Sequence, residues 1–215
     1  MRLLVLGASG KTGREVVAQA LSAGHEVTAF VRDPSRLDLH HSRLTVATGD
    51  ARDAKDLGRA LRGQDAVIST LGTRSRHAVL GAATGRSSGM MERSTTALIE
   101  AAPRAGVRRV VLLSTFMLAG NFRPGILKPL AAYYKPMNDD KRAGERALKD
   151  SSLDWTIVYA TRLTNGERSG RERPVAPAEI VTPRNSVSRA DVAAFLLAQL
   201  NDEKNTRDSV VLTAA

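Results

Sequence analysis

Three observations predict an α/β fold in which one domain, residues 1–215, is built on a doubly wound parallel sheet. Short apolar β-rich runs recur along the chain, segments of helical periodicity separate them, and a glycine cluster directly follows the first run. Parallel strands need a long crossover and are buried on both faces, so this alternation reads as successive βαβ units. A chain of 215 residues can bury roughly 70% of the surface of its unfolded form. It needs no covalent staples.

The strands are expected at Leu3–Leu6, Glu26–Val31, Leu44–Ala47, Ala66–Thr70, Arg109–Ser114 and Trp155–Tyr159. Helices are expected at Lys11–Ala23, Asp53–Leu61, about 89–105, about 138–149 and Arg189–Leu200. In the first helix Val16, Val17, Ala20 and Leu21 form the apolar stripe that covers a sheet. Asp33-Pro34 places an N-cap before a proline, which predicts a short helical turn. Two stretches read otherwise. Residues 72–89 carry Gly72, Gly81, Gly85 and Gly89 and read as a loop leaving a strand end, and Leu163–Arg184 reads as loop with one short extended piece. Ligands in open α/β sheets lie outside the carboxyl ends of the strands. Residues 72–89, 115–137 and 162–187 are therefore expected to form a small substrate-side lobe of loops.

Composition narrows the chemistry. The chain has no cysteine, which removes disulfides, thiolate metal sites and cysteine nucleophiles together. The net charge is +10, but its 25 arginines and 7 lysines are scattered, and no helix-turn-helix or aromatic-basic face accompanies them. No nucleic-acid partner is expected. No apolar stretch approaches the roughly 20 residues of a membrane span, and Met1-Arg2-Leu3-Leu4-Val5 runs into glycines instead of a cleavage site. The expectation is a cytoplasmic protein without a membrane partner, a monomer or small homo-oligomer. His25, His40, His41 and His77 lack metal-ligand spacing, no paired-carboxylate pattern occurs, and there is no Gly-x-Ser-x-Gly elbow. No metal site is expected.

The strongest motif is Gly7-Ala8-Ser9-Gly10-Lys11-Thr12-Gly13, placed after the first strand and opening the first helix. Glycines there allow a tight turn and let backbone N–H groups approach a pyrophosphate at the helix N-terminus. A P-loop fails on spacing, because its first glycine would fall on Val5. An ordinary glycine-rich turn is the plainer alternative. The second strand ends at Arg32, where a guanidinium suits a ribose 2′-phosphate; the adjacent Asp33 lies near the same interval and leaves NAD open. Assigning Asp33 to the cap and Arg32 to the phosphate predicts NADPH/NADP.

With these residues the chain resembles the atypical short-chain dehydrogenase/reductase superfamily. It is similar to the single-domain flavin reductase/biliverdin-IXβ reductase proteins and to NmrA-like proteins. The likeness rests on Gly7–Gly13, Val31-Arg32-Asp33, Gly49-Asp50-Ala51-Arg52-Asp53, Leu71-Gly72-Thr73-Arg74, Leu113-Ser114-Thr115, and the helix Lys141–Ser151 leading to Leu153-Asp154-Trp155-Thr156-Ile157-Val158. It implies a Rossmann-like fold. It further implies a cofactor site at Gly7, Ala8, Ser9, Gly10, Lys11, Thr12, Gly13, Arg32, Asp50, Ala51, Thr70, Leu71, Gly72 and Arg74, with Asp50 reaching the adenine. Ser114, Thr115 and Lys141 are the implied catalytic positions.

The departures bear on mechanism. The superfamily's Tyr-x-x-x-Lys pair would need tyrosine four residues before Lys141, where Met137 stands, and neither Tyr133 nor Tyr134 has a lysine at that spacing. The usual arginine-proline after the sixth strand is altered to Tyr159-Ala160-Thr161-Arg162. The flavin reductase likeness implies hydride transfer to a planar conjugated acceptor such as a flavin, quinone or aromatic or polyketide carbonyl, with solvent able to supply the proton. The NmrA-like likeness implies a redox-sensing regulator that binds NADP(H) and a partner protein. Phe116, Met117, Phe122, Tyr133 and Tyr134 are expected either to wall a flat acceptor or to pack in the core, and Arg74 and Arg76 either to meet an anion or to stand in solvent.

Overall fold

The first strand, β1 (Arg2–Leu6), is apolar on both faces and sits inside the sheet, between β2 (Glu26–Val31) and β4 (Ala66–Ser69). The computed structural model describes residues 1–72, 88–122, 133–176, 178–182 and 184–214. With β3 (Leu44–Thr48), β5 (Arg109–Thr115), β6 (Asp154–Ala160), β8 (Glu172–Pro174) and β10 (Asp208–Ala214), these strands form one sheet in the order β3-β2-β1-β4-β5-β6-β10-β8. All its pairings are parallel except β10 with β8. The strand order reverses between β1 and β4, and such a switch point opens a crevice at the carboxyl ends. This is the doubly wound sheet expected.

Side chains alternate across the strands, so the sheet buries two separate cores. On one face Leu3, Val5 and Val158 meet α1 (Lys11–Ser22) and α5 (Arg189–Ala198) through Val16, Val17, Val192 and Leu196. On the other, Leu4, Leu6, Leu112 and Ile157 meet α2 (Ala54–Leu61), α3 (Met90–Arg104) and α4 (Lys135–Asp150).

Three boundaries differ from expectation. α4 begins at Lys135, a turn before residue 138, because Pro136 falls in the first turn, where its missing N–H has no helical acceptor to lose. The stretch Leu163–Arg184 is not one extended piece in a loop: it supplies β8 to the main sheet, and β7 (Arg162–Thr164) pairs with β9 (Ser186–Ser188) in a second, two-stranded sheet. The chain also returns through β10, which continues the sheet beyond β6.

What positions the strand ends is the contact of α4 with α3. A Cβ on Gly144 would lie 3.0 Å from both the Met91 carbonyl oxygen and Thr95 Oγ1, so the helices approach as closely as a glycine allows. One turn earlier the buried Asp140 carboxylate accepts from the Met91 and Glu92 N–H groups at 3.2 and 3.0 Å, capping α3 from a neighbouring helix. Gly144→Val is expected to lower stability by about 1–3 kcal/mol, read as a loss of several degrees in Tm. Gly58→Ala on α2, where a Cβ meets nothing within 4 Å, is expected to raise stability by up to about 1 kcal/mol. Thermal melts of the two variants beside the parent check both.

Candidate functional site

The glycine turn is closed by Gly10 N–H donating to the Gly7 carbonyl at 2.9 Å. Gly7 has φ +79°, and a Cβ there would press on Thr70 backbone atoms at 3.0 Å, while a Cβ on Gly13 would come within 2.2 Å of the Gly7 carbonyl oxygen. The turn therefore tolerates side chains at neither position. Gly10 is the N-cap of α1, no side chain caps that end, and its first turn holds no acidic residue. The first-turn N–H groups of Lys11, Thr12 and Gly13 have no intrahelical acceptor, and with the helix dipole they make a place for an anion. By contrast α2 is capped by Asp53, α3 by Asp140 and α5 by Ser188.

The other predicted cofactor residues that the structure describes stand within the turn or follow the carboxyl ends of β2, β3 and β4. Ala8 is buried beneath it and Ser9 is half-buried within it. Thr70 Oγ1 donates to the Leu6 carbonyl at 3.0 Å, so its hydroxyl ties β4 to the turn. Leu71 is half-buried and Gly72 exposed, and Arg74 and Arg76 lie outside the described residues. At the end of β2, Arg32 is exposed and makes no hydrogen bond or ion pair among the described residues. Asp33 accepts from Ser35 N at 3.1 Å and Ser35 Oγ at 2.6 Å, the capping role expected of it. Asp50 is held by Arg52, whose Nε lies 3.0 and 3.1 Å from its carboxylate oxygens. The Arg52 guanidinium pulls the Asp50 pKa down to about 2, with Arg32 adding to the effect. Ala51 is half-buried beside it.

The strand-end chemistry gathers on α4. Ser114 and Tyr159 are register partners on β5 and β6, so their side chains leave the same face of the sheet. Ser114 Oγ donates to Glu145 Oε1, and Tyr159 OH donates to Glu145 Oε2 at 2.7 Å. Glu145 is only 5% exposed and has no ion pair among the described residues. Burial, then the Glu145 carboxylate, holds the Tyr159 phenol well above its ordinary pKa, so it stays protonated. Lys141, one turn before Glu145, is half-buried and without hydrogen bond or ion pair among the described residues. Its burial pushes the ammonium pKa down against the opposing pull of Glu145 and Asp140. A turn further back, the buried Asn138 has an amide oxygen with no partner.

Ser114 and Lys141 thus stand on elements that pack together. Thr115 does not join them: it follows Ser114 on the strand, faces the other way, and its Oγ1 accepts from Met117 N at 3.4 Å, capping a 3-10 turn over Phe116–Leu118. Glu145 and Tyr159 are the residues that sequence reasoning missed. The spacing Lys141–Glu145 was their signal, since residues four apart share a helix face. The aromatic residues form two edge-to-face pairs, Phe116 with Phe122 at 5.0 Å and Tyr133 with Tyr134 at 5.1 Å. Among the described residues no group of His, Asp or Glu could hold a metal ion, and no helix is long and apolar enough to cross a membrane.

A dinucleotide fits the glycine turn: Gly7, Gly10 and Gly13 keep the backbone closed against Thr70 and the Gly7 carbonyl, and the first N–H groups of α1 are left without a side-chain cap. A family model described as NAD(P)H-binding matches residues 7–203, and the chain belongs to that NAD(P)H-binding family. A (4-alkanoyl-5-oxo-2,5-dihydrofuran-3-yl)methyl phosphate reductase of Streptomyces griseus is 32% identical over 209 residues, covering 92% of this chain and 62% of the relative. A photosystem II assembly factor, Ycf39 of Synechocystis, is 28% identical over 202 residues, covering 91% of this chain and 57% of its own length. Against both, the chain spans about three-fifths of the relative. Among solved structures, the oxidoreductase ylbE of Lactococcus lactis superposes with a TM-score of 0.80 at 20% identity, over 100% of this chain and 91% of that one, a likeness of fold.

Gly13→Ala is expected to weaken NADPH binding at least about tenfold, some 1.4 kcal/mol, because the turn must open to admit the methyl group. Isothermal calorimetry on the parent and the variant measures this, with circular dichroism confirming the fold. Equal affinities would remove the turn from the cofactor site.

Proposed function

We propose that the protein is an NADPH-dependent reductase that passes hydride to a planar conjugated acceptor lying beyond the ends of β5 and β6. The observation that carries this reading is the uncapped glycine turn at α1 on the same sheet edge as a buried Ser114–Glu145–Tyr159 cluster, with Lys141 beside it and without an ion pair among the described residues. The residues that would hold the cofactor are the turn Gly7–Gly13 for the pyrophosphate, Arg32 for the 2′-phosphate, Asp50 and Ala51 for the adenine, and Thr70–Gly72 along the crevice wall. When bound, the nicotinamide supplies the hydride.

The chain's own groups orient the acceptor and provide a proton. Ser114 fixes the acceptor edge, and Thr115 shapes the opposite side of the strand end. Lys141 is the proton source: burial loosens its hold on the proton more than the nearby Glu145 and Asp140 carboxylates strengthen it, and it forms no ion pair among the described residues. That role replaces the tyrosine absent at Met137. Beyond the ends of β5 and β6, Asn121 Nδ2 donates to the Glu179 carbonyl at 2.8 Å and Val181 N to the Asn121 carbonyl at 3.1 Å, tying two of the expected substrate-side segments together.

Met137 also favours a second reading, a cofactor-binding protein that does not turn over and acts through a partner, the kind of role that the name of the Synechocystis relative carries. Acceptor-dependent consumption of NADPH separates the two.

Two outcomes test the residues. Arg32→Ala is expected to cut the preference for NADPH over NADH in kcat/KM about tenfold, and unchanged discrimination would remove Arg32 from the phosphate site. Since the Lys141 pKa is lowered from 10.5, its protonated form is lost as pH rises through that lowered value, and kcat/KM should fall there. Lys141→Met should lose that limb with at least about 100-fold in kcat, and Lys141→Arg should carry the limb out of range. The same pH profile in all three proteins would contradict the assignment.

A further inference from the structure

Glu145 accepts two hydroxyl protons at the ends of β5 and β6. Ser114 and Tyr159 each donate to it, one to each carboxylate oxygen, and the Ser114 hydroxyl makes no other hydrogen bond among the described residues. A serine hydroxyl has one proton and two lone pairs. With the proton turned to Glu145, Ser114 offers only lone pairs to the space beyond β5, and the Tyr159 proton is committed in the same way.

We propose that Glu145 is a positioning residue that makes Ser114 an obligate hydrogen-bond acceptor, and that the protein thereby selects planar molecules that present an N–H or O–H at their edge over those that present only carbonyl oxygens. The inference deepens the reductase reading and rests on it. An imide-type N–H donates to Ser114 directly. A carbonyl edge sets lone pairs against lone pairs. The contrast is sharpened by burial, since Ser114 is 7% exposed and Glu145 5%, and an unmatched polar group costs most where water cannot reach it. The acid-base role stays with Lys141, the group in this cluster that has protons to offer.

Dead-end binding tests the proposal without turnover. The protein is loaded with NADP⁺, which cannot reduce a flavin, and titrated with lumiflavin, which has an imide N–H, and with 3-methyllumiflavin, in which a methyl group replaces that hydrogen. Quenching of flavin fluorescence gives the affinities. The parent is expected to bind lumiflavin about tenfold more tightly, equivalent to 1.4 kcal/mol. In Ser114→Ala the ratio should fall to about twofold, the steric share of the methyl group. In Glu145→Gln the amide oxygen still accepts from Tyr159 while its NH₂ donates to Ser114, so the serine proton turns outward and the ratio should fall to one or below. A tenfold ratio kept in both variants would overturn the proposal and leave the reductase reading standing. Binding of NADP⁺ by calorimetry with neither flavin bound would overturn the planar-acceptor reading, and this inference with it.

Discussion

The close approach of α4 to α3 governs the strand-end site. Gly144 lets the two helices meet at backbone distance, and from that contact Asp140 reaches the amino end of α3 while Glu145 reaches Ser114 and Tyr159 on the sheet. Both carboxylates are buried, and neither forms an ion pair among the described residues. Hydrogen bonds satisfy them instead: two backbone N–H groups at the positive end of a helix for Asp140, and two hydroxyls for Glu145. A buried charge is tolerable only with such partners. The same helix thus seats both carboxylates five residues apart, and a shift of α4 would disturb both.

The glycine turn after β1 works by the opposite device, a helix end left without a side-chain cap. α2, α3 and α5 begin with a carboxylate or hydroxyl on their first N–H groups, whereas α1 and α4 begin without a side-chain cap, and of these two α1 is the one that begins at a glycine. The positive charge nearby is also unevenly engaged. Arg52 is tied to Asp50, and Arg59 to Asp56, whereas Arg32 stands exposed at the end of β2 without a partner among the described residues. An arginine-rich chain has many exposed cations, and most of them carry no functional meaning. What distinguishes Arg32 is its place, one strand away from the uncapped turn and on the same edge of the sheet.

The six predicted strands and five predicted helices were legible because each is a short apolar run or a clear stripe between glycines, and burial of both sheet faces leaves little room for another reading. The glycine turn was legible for the same local reason. What escaped was non-local. The strand β10 rests on a few apolar residues, Val210-Val211-Leu212, and its place beside β6 is decided by pairing across some fifty residues of chain. Short strands β7 and β9 hold each other and have little independent signal. Within the site, Ser114 and Lys141 were recognisable from their positions, but Glu145 reads in sequence as one more helix glutamate. Only the register of Ser114 against Tyr159 and the close packing of α4 on α3 at Gly144 turn it into a buried acceptor. Thr115 shows the reverse, a hydroxyl in the expected position whose oxygen is used on its own backbone.

The central claim, that this sheet edge delivers hydride from NADPH to a flat acceptor, is tested most directly by following NADPH absorbance with the parent protein against lumiflavin and menadione, using ordinary NADPH and NADPH deuterated at C4. Oxidation is expected to require an acceptor and to be slowed by the deuterium that must be transferred. Tight binding of NADPH with no acceptor-dependent oxidation by either compound would contradict it.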